Sequence, residues 1–321
     1  MTQTDTAQLI ALDWGSTSVR AYLIGARGQT ISTRSATLGA SFMNGDDDYT
    51  SALDKLCGDW MQSDPAMPIL ACGMVGSKHG WQEVPYVACP GGDRQLGAAI
   101  QKVARKPVHI VPGLLFEPED AAPDVMRGEE TQILGALHLQ PELAQHACLI
   151  LPGTHSKWAE VVEGKVTRFA THMTGELFAV LRQHSVLGKL MPEKLGETDL
   201  PSFLAGVDAA RADDGLLHQL FAVRTLGLTQ KMPGAQLPDY LSGLLIGTEI
   251  KDGLRWRSAY GQPGNAMALI GEPAICNLYR HALQRFDQSA VLQLNNTASA
   301  GLWRLAQAAG MIKANQPDTT P

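Results

Sequence analysis

Two segments of this chain repeat one another in order and in register, and that repeat constrains the fold more than any single motif. Residues 9–35, LIALDWGSTSVRAYLIGARGQTISTRS, read as an apolar strand, a Gly-Ser-Thr-Ser turn, a strand, a glycine-containing tight turn and a third strand. Residues 148–170, CLILPGTHSKWAEVVEGKVTRFA, repeat that order with a Gly-Thr-His-Ser turn and an EGK tight turn. An offset of 138 residues places Gly153 on Gly15, Thr154 on Ser16 and Ser156 on Ser18 without a gap. One hairpin with glycine in its turn is commonplace. Two in register, each loaded with hydroxyls, predict a duplicated fold.

Each copy ends a buried strand in a turn whose backbone N–H groups and hydroxyls can converge on phosphate oxygens. Two such turns would grip a polyphosphate. Asp13, at the tip of the first strand, lies where a carboxylate could hold a hydrated Mg2+ ion against that phosphate. The second copy has no carboxylate at the matching place, where Pro152 precedes the glycine.

A chain of 321 residues exceeds what one hydrophobic core usually holds, so two lobes are expected. The stretches PILACGMVG and KPVHIVPGL read as further buried strands, and EETQILGALHL, YLSGLLIGTEIKDGLRW and EPAICNLYRHALQRF carry apolar residues at helical spacing. VLQLNNTASAGLWRLAQAAGMI reads as a last strand and a last helix, STRSATLGASFMNGDDD as a loop with a solvated acidic run, and MTQTDTAQ and KANQPDTTP as frayed ends. Alternation of strands and helices through both halves makes the class α/β.

The composition excludes several functions. A net charge of -6 without a basic stripe interleaved with aromatics argues against nucleic acid. The only apolar run in the leader is Leu9 to Leu12, so neither a signal peptide nor a membrane span is expected, and the cytoplasm is the expected compartment. Five scattered cysteines, never spaced as CxxC, suit a reducing compartment without structural zinc. No GxGxxG, GxxxxGK[ST] or HExxH pattern is present.

The motifs DWGST, GMVGSKHGW, MRGEETQ, PGTHSKW, MTGEL and LSGLLIG, in that order, resemble those of the 2-dehydro-3-deoxygalactonokinases nearly end to end. That family lies in the superfamily joining actin, the heat-shock ATPases and the sugar kinases. The resemblance implies transfer of the γ-phosphoryl of ATP to the 6-hydroxyl of 2-dehydro-3-deoxy-D-galactonate in galactonate breakdown. It also implies two actin-like (ribonuclease H-like) lobes, each built on a five-stranded mixed sheet, with the site in an interlobe cleft. The expected divisions are residues 1–135, 136–296, and a final segment, 297–321, whose helix crosses back to the first lobe. ATP, Mg2+ and a small sugar acid are the expected ligands, with a homodimer allowed for. A phosphohydrolase of the polyphosphatase type is the alternative on the same fold.

By this resemblance Asp13, Gly15, Ser16 and Thr17 would hold Mg2+ and the β- and γ-phosphates, with Gly153, Thr154, His155 and Ser156 closing on them. Lys157 reads equally as a solvent-facing residue. Gly271, Glu272 and Pro273 are candidates to lie against adenine or ribose, Glu272 being equally a plain strand-to-helix connection. Ser77, Trp81, Thr174 and Glu176 are the expected sugar-acid contacts, Trp81 being equally a core aromatic. An attacking hydroxyl needs a carboxylate to orient it and accept its proton. RGEETQ resembles the Gly-or-Asn-Glu-Glu segment that in the polyphosphatase relatives opens the helix before the second phosphate strand and points its first Glu into the cleft, which implies Glu129 as the candidate base and Glu130 as the fallback; about 100° apart on a helix, only one can face the site. Arg127 beside them could take a carboxylate or phosphate in a bidentate way. MRGEE is otherwise a solvated helix start with acids at the positive end of the dipole.

Overall fold

Apolar runs without alternation become the central strands of two mixed sheets, where neighbours on both edges take up their backbone hydrogen bonds. The computed structural model describes residues 6–212, 214–260 and 265–312. Of the expected frayed ends, residues 1–5 and 313–321 lie outside the described residues, whereas Ala7 and Gln8 already belong to the first strand.

Strand β1 (Ala7–Trp14) keeps Leu9 to Leu12 fully buried and pairs antiparallel with β2 (Val19–Gly25), which pairs antiparallel with β3 (Thr30–Ala36). After helix α1 (Asp46–Ser63), β4 (Ile69–Gly73) joins the other edge of β1 in parallel. Three short strands, β5 (Val87–Ala88), β8 (Leu114–Phe116) and β9 (Asp124–Met126), form a small sheet of their own. Helix α2 (Asp93–Ala98), β6 (Gln101–Lys102) and β7 (Val108–Ile110) precede β8 and β9. The first main sheet has the order β3-β2-β1-β4-β7-β6.

Helix α3 (Glu129–Leu139) leads to the second copy of the hairpin, β10 (His146–Leu151), β11 (Ser156–Val162) and β12 (Lys165–His172). Four helices follow, α4 (Thr174–His184), α5 (Leu200–Arg211), α6 (Leu216–Leu228) and α7 (Leu237–Tyr260). Strand β13 (Ala266–Ile270), helix α8 (Pro273–Arg285), β14 (Val291–Leu294) and helix α9 (Ala298–Ala308) complete the chain. The second sheet has the order β12-β11-β10-β13-β14. With the edge strand β6 set aside, both sheets run third, second, first, fourth, fifth, so the duplication read from two hairpins extends across the whole of each sheet.

The expectation of five strands holds for the second sheet only. In the first, β6 pairs antiparallel with the outer edge of β7 and makes a sixth. The segment read as a loop over residues 32–48 is also corrected. Strand β3 continues to Ala36, and Asp46, Asp47 and Asp48 form the first turn of α1, where carboxylates meet the positive end of the helix dipole.

The chain forms two compact units, one of residues 1–146, 161–169 and 296–321, the other of residues 147–160 and 170–295. The core of the first gathers Trp14, Tyr49, Trp60 and Ile69 between sheet and α1. In the second, Trp158, Phe203 and Tyr279 pack together beneath α5, α7 and α8. No helix among the described residues is long and apolar enough to cross a membrane.

In the first unit α3 and α9 cross at unusually close range. A β-carbon added at Gly135 would stand 1.9 Å from the Thr297 carbonyl oxygen, and one at Gly301 would stand 1.9 Å from that of Thr131. The Thr297 hydroxyl donates to the Gln132 carbonyl at 2.6 Å and fastens the crossing.

Candidate functional site

In the first unit the turn after β1 is shaped by its own backbone. Gly15 N–H donates to Ser18 O at 2.9 Å, and the N–H groups of Gly39, Ala40 and Ser41 donate to the carbonyls of Thr17, Gly15 and Ser16. With its carbonyls taken up, the turn leaves Ser16 and Thr17 exposed. Asp13 stands opposite Arg20 across the β1–β2 pair. Burial of its carboxyl raises its pKa, against the opposing pull of Arg20. A divalent cation would relieve that cost. Among the described residues no group of three or more His, Cys, Asp or Glu is arranged to hold a metal. A lone carboxylate beside a hydroxyl-rich turn suits Mg2+, which keeps several waters and is usually bound through one or two carboxylates plus substrate phosphates.

Five further residues named from the sequence, Ser77, Trp81, Arg127, Glu129 and Glu130, lie in this unit. Ser77 follows a 3-10 turn at the end of β4 and is half-buried. Trp81 stacks on Tyr49 at 5.2 Å between ring centres, meets Trp14 edge-on at 6.1 Å, and donates its indole N–H to Asp46 at 2.6 Å. Gly128, with φ of 106°, makes the sharp entry into α3 that a side chain would strain. The two acids that follow then separate. Glu130 is fully buried, its carboxyl accepting from the Gly128 N–H at 2.6 Å and the Thr131 hydroxyl at 3.0 Å. Burial, and secondarily Glu129, push its pKa up to about 8. Glu129 is only partly buried, and its carboxyl accepts the Arg127 N–H at 3.0 Å.

Arg127 holds its guanidinium over the Tyr86 ring at 4.4 Å and donates from Nη2 to the Val84 carbonyl at 2.7 Å. Its Nε and Nη1 are buried without a hydrogen-bond partner. Buried charged donors left unpaired are costly, so this arrangement calls for an acceptor such as an anionic ligand.

In the second unit Gly153, Thr154 and His155 are exposed while Ser156 is fully buried. Helix α4 begins against this turn, with the Glu176 N–H donating to Thr154 O at 3.0 Å and the Glu176 carboxylate hydrogen-bonded to His155 Nε2. The structure therefore brings together His155 and Glu176, residues read from separate motifs. Lys157, for which a solvent-facing position stood open, is buried and donates to the Thr171 hydroxyl at 2.7 Å.

Beside the turn is a cavity of about 250 Å³ whose lining includes Gly153, Thr174, Ser242, Ile275, Leu278 and Tyr279. Its walls are mainly apolar with a few polar groups, the usual character of a site for a flat organic ring. Gly271, Glu272 and Pro273 form the connection from β13 into α8, one turn before Ile275. Sequence reasoning missed Ile275, Leu278 and Tyr279, although their i, i+3, i+4 spacing marks one face of α8. The same spacing describes a core-facing stripe, and nothing in it announces a cavity.

The family described as 2-keto-3-deoxy-galactonokinase matches residues 13–305. The chain is 33% identical to the 2-dehydro-3-deoxygalactonokinase of Escherichia coli (strain K12) over 304 residues, 94% of this chain and 99% of the relative. A crystal structure of a candidate 2-dehydro-3-deoxygalactonokinase from Sinorhizobium meliloti superposes with a TM-score of 0.80 at 31% identity, covering 94% of this chain and 98% of that one. Component A of the (R)-2-hydroxyglutaryl-CoA dehydratase of Acidaminococcus fermentans shares the fold alone, with a TM-score of 0.52 at 13% identity over 95% of this chain and all of that one. With the match running from Asp13 at the end of β1 into the last helix, the chain belongs to the 2-keto-3-deoxy-galactonokinase family.

Proposed function

We propose that this protein transfers the γ-phosphoryl group of ATP to the 6-hydroxyl of 2-dehydro-3-deoxy-D-galactonate, giving the 6-phosphorylated sugar acid. Membership of the family supports the reaction, and nothing in the relatives favours the phosphohydrolase alternative. The observation that carries the acid part of the substrate is Arg127, whose two buried unpaired nitrogens suit a carboxylate.

Phosphoryl transfer asks for positioning and charge neutralisation more than for covalent chemistry. Asp13, Gly15, Ser16 and Thr17 would hold Mg2+ and the β- and γ-phosphates, the ion supplying charge neutralisation when bound. The Gly153–Ser156 turn, with His155 steadied by Glu176, offers a second set of groups for phosphate oxygens. The adenine ring enters the cavity beside Tyr279, with Gly271, Glu272 and Pro273 near the base or ribose. Ser77, Trp81, Thr174 and Glu176 complete the sugar-acid surroundings, and Glu129 takes the proton of the attacking hydroxyl. The reading places the enzyme in the cytoplasm and leaves room for a homodimer.

ADP release measured with and without the sugar acid tests the reaction. Release that depends on the acid, with no phosphate appearing in water, is the expected result. Release independent of it sinks the proposal. Transfer also needs donor and acceptor in one place with water excluded. Small-angle scattering is therefore expected to give a smaller radius of gyration with an ATP analogue and sugar acid together than with neither; no compaction at saturation counts against a site that closes on both.

A further inference from the structure

Behind the second phosphate turn lies a chain of buried hydrogen bonds whose polarity follows from one carboxylate. Glu249, in α7, is 3% exposed and accepts the Trp158 indole N–H at 2.9 Å and the Tyr279 hydroxyl at 2.5 Å. A carboxylate only accepts, so the phenolic proton is committed to Glu249. The phenolic oxygen then acts as acceptor toward Ser156 Oγ at 3.0 Å and toward the Thr174 hydroxyl. A serine hydroxyl carries one proton. That of Ser156 goes to Tyr279, and its oxygen receives the Gly153 N–H at 3.4 Å. Ser156, buried and with its proton spent, has none left to give a phosphate.

The elements joined by this chain are the ones the nucleotide would touch. Ser156 closes the phosphate turn, Thr174 starts the helix docked against it, and the Tyr279 ring lines the neighbouring cavity. Glu249 touches none of these surfaces, yet it sets the direction of every hydroxyl between them. We infer that Glu249 and Tyr279 are positioning residues that hold the Gly153–Ser156 turn at the distance from the base cavity that a nucleotide's phosphates require. This rests on the proposal that ATP occupies that cavity and that turn. It deepens it by assigning Ser156 to the frame of the turn and phosphate contact to the exposed Gly153, Thr154 and His155.

Two variants test the inference with AMP and ADP as probes. AMP reports the base and ribose, and ADP reaches further along the phosphates. Tyr279→Phe keeps the ring in the cavity wall and removes the acceptor for two hydroxyls. Glu249→Gln keeps the shape but can offer Tyr279 an N–H, which frees the single phenolic proton to turn onto Ser156 or Thr174 and makes the hydroxyl it meets point its own proton elsewhere. Calorimetry is expected to show ADP binding weakened about tenfold in either variant, the scale of one net hydrogen bond. In Glu249→Gln, whose substituted side chain does not line the cavity, AMP binding is expected to stay at the wild-type value. If Tyr279→Phe does not fold, Glu249→Gln decides alone. A folded variant that binds ADP as the wild type does overturns the inference. So does equal loss of AMP and ADP binding together with a lowered Tm, which marks a purely structural network. If the wild-type protein binds neither AMP nor ADP, the nucleotide site itself is misplaced and the inference falls with it.

Discussion

Replacing Glu129 with Gln is expected to lower kcat by about a hundredfold or more and to leave nucleotide affinity nearly unchanged. The amide is close to isosteric and can still accept the Arg127 N–H, but it cannot take a proton from an attacking hydroxyl. Its neighbour is a poor substitute for a physical reason. The Glu130 carboxyl is sealed in the core and pinned by Gly128 and Thr131, and its raised pKa of about 8 keeps it protonated at neutral pH. Single-turnover and steady-state rates for Glu129→Gln and Glu130→Gln, each checked for an unchanged Tm, separate the two. Near-normal turnover in Glu129→Gln removes it from the role.

Arg127→Met is expected to reduce kcat/KM for the sugar acid about a hundredfold, with the KM for ATP changed less than about twofold. Hydrogen bonds to charged groups contribute roughly 1.5–3 kcal/mol each, and tenfold in affinity is about 1.4 kcal/mol. Met keeps much of the apolar stem against Tyr86 while removing the charge. Arg127→Lys should recover only part of the loss, because an ammonium is a point charge and not a planar fork. A neutral sugar accepted equally by wild type and Arg127→Met, alongside undiminished use of the acid by the variant, would show that this guanidinium does not read the carboxylate.

Local chemistry made a good part of this molecule legible. The two hairpins were found because glycine and hydroxyl residues mark turns between apolar strands, and α3 starts and stops where its residues predict. The edge strand β6 escaped because two exposed residues, Gln101 and Lys102, carry no periodicity. The opening of α1 was misread because three aspartates look like a solvated loop until their place at a helix start is known. Within the site, Arg127 and Glu129 could be proposed from charge and order in the chain. Burial of Glu130 could not, since its sequence neighbour differs from it in nothing but direction. The Glu249–Tyr279–Ser156 chain was beyond sequence reasoning altogether, because it joins residues from three elements far apart in the chain.

The interlocked glycines of α3 and α9 have a consequence for when the protein becomes competent during its synthesis. Helix α3 carries Glu129 and Glu130 at its start, and one face of it is shaped to receive Gly301 against the Thr131 carbonyl with no room for a β-carbon. That partner is translated more than 150 residues later. Until residues 298–308 leave the ribosome, α3 has a bare face where α9 belongs, so its N-terminal acids lack their final support. Because α9 also packs on β1, β2 and β4, the first unit as a whole is finished only when its last helix has been made.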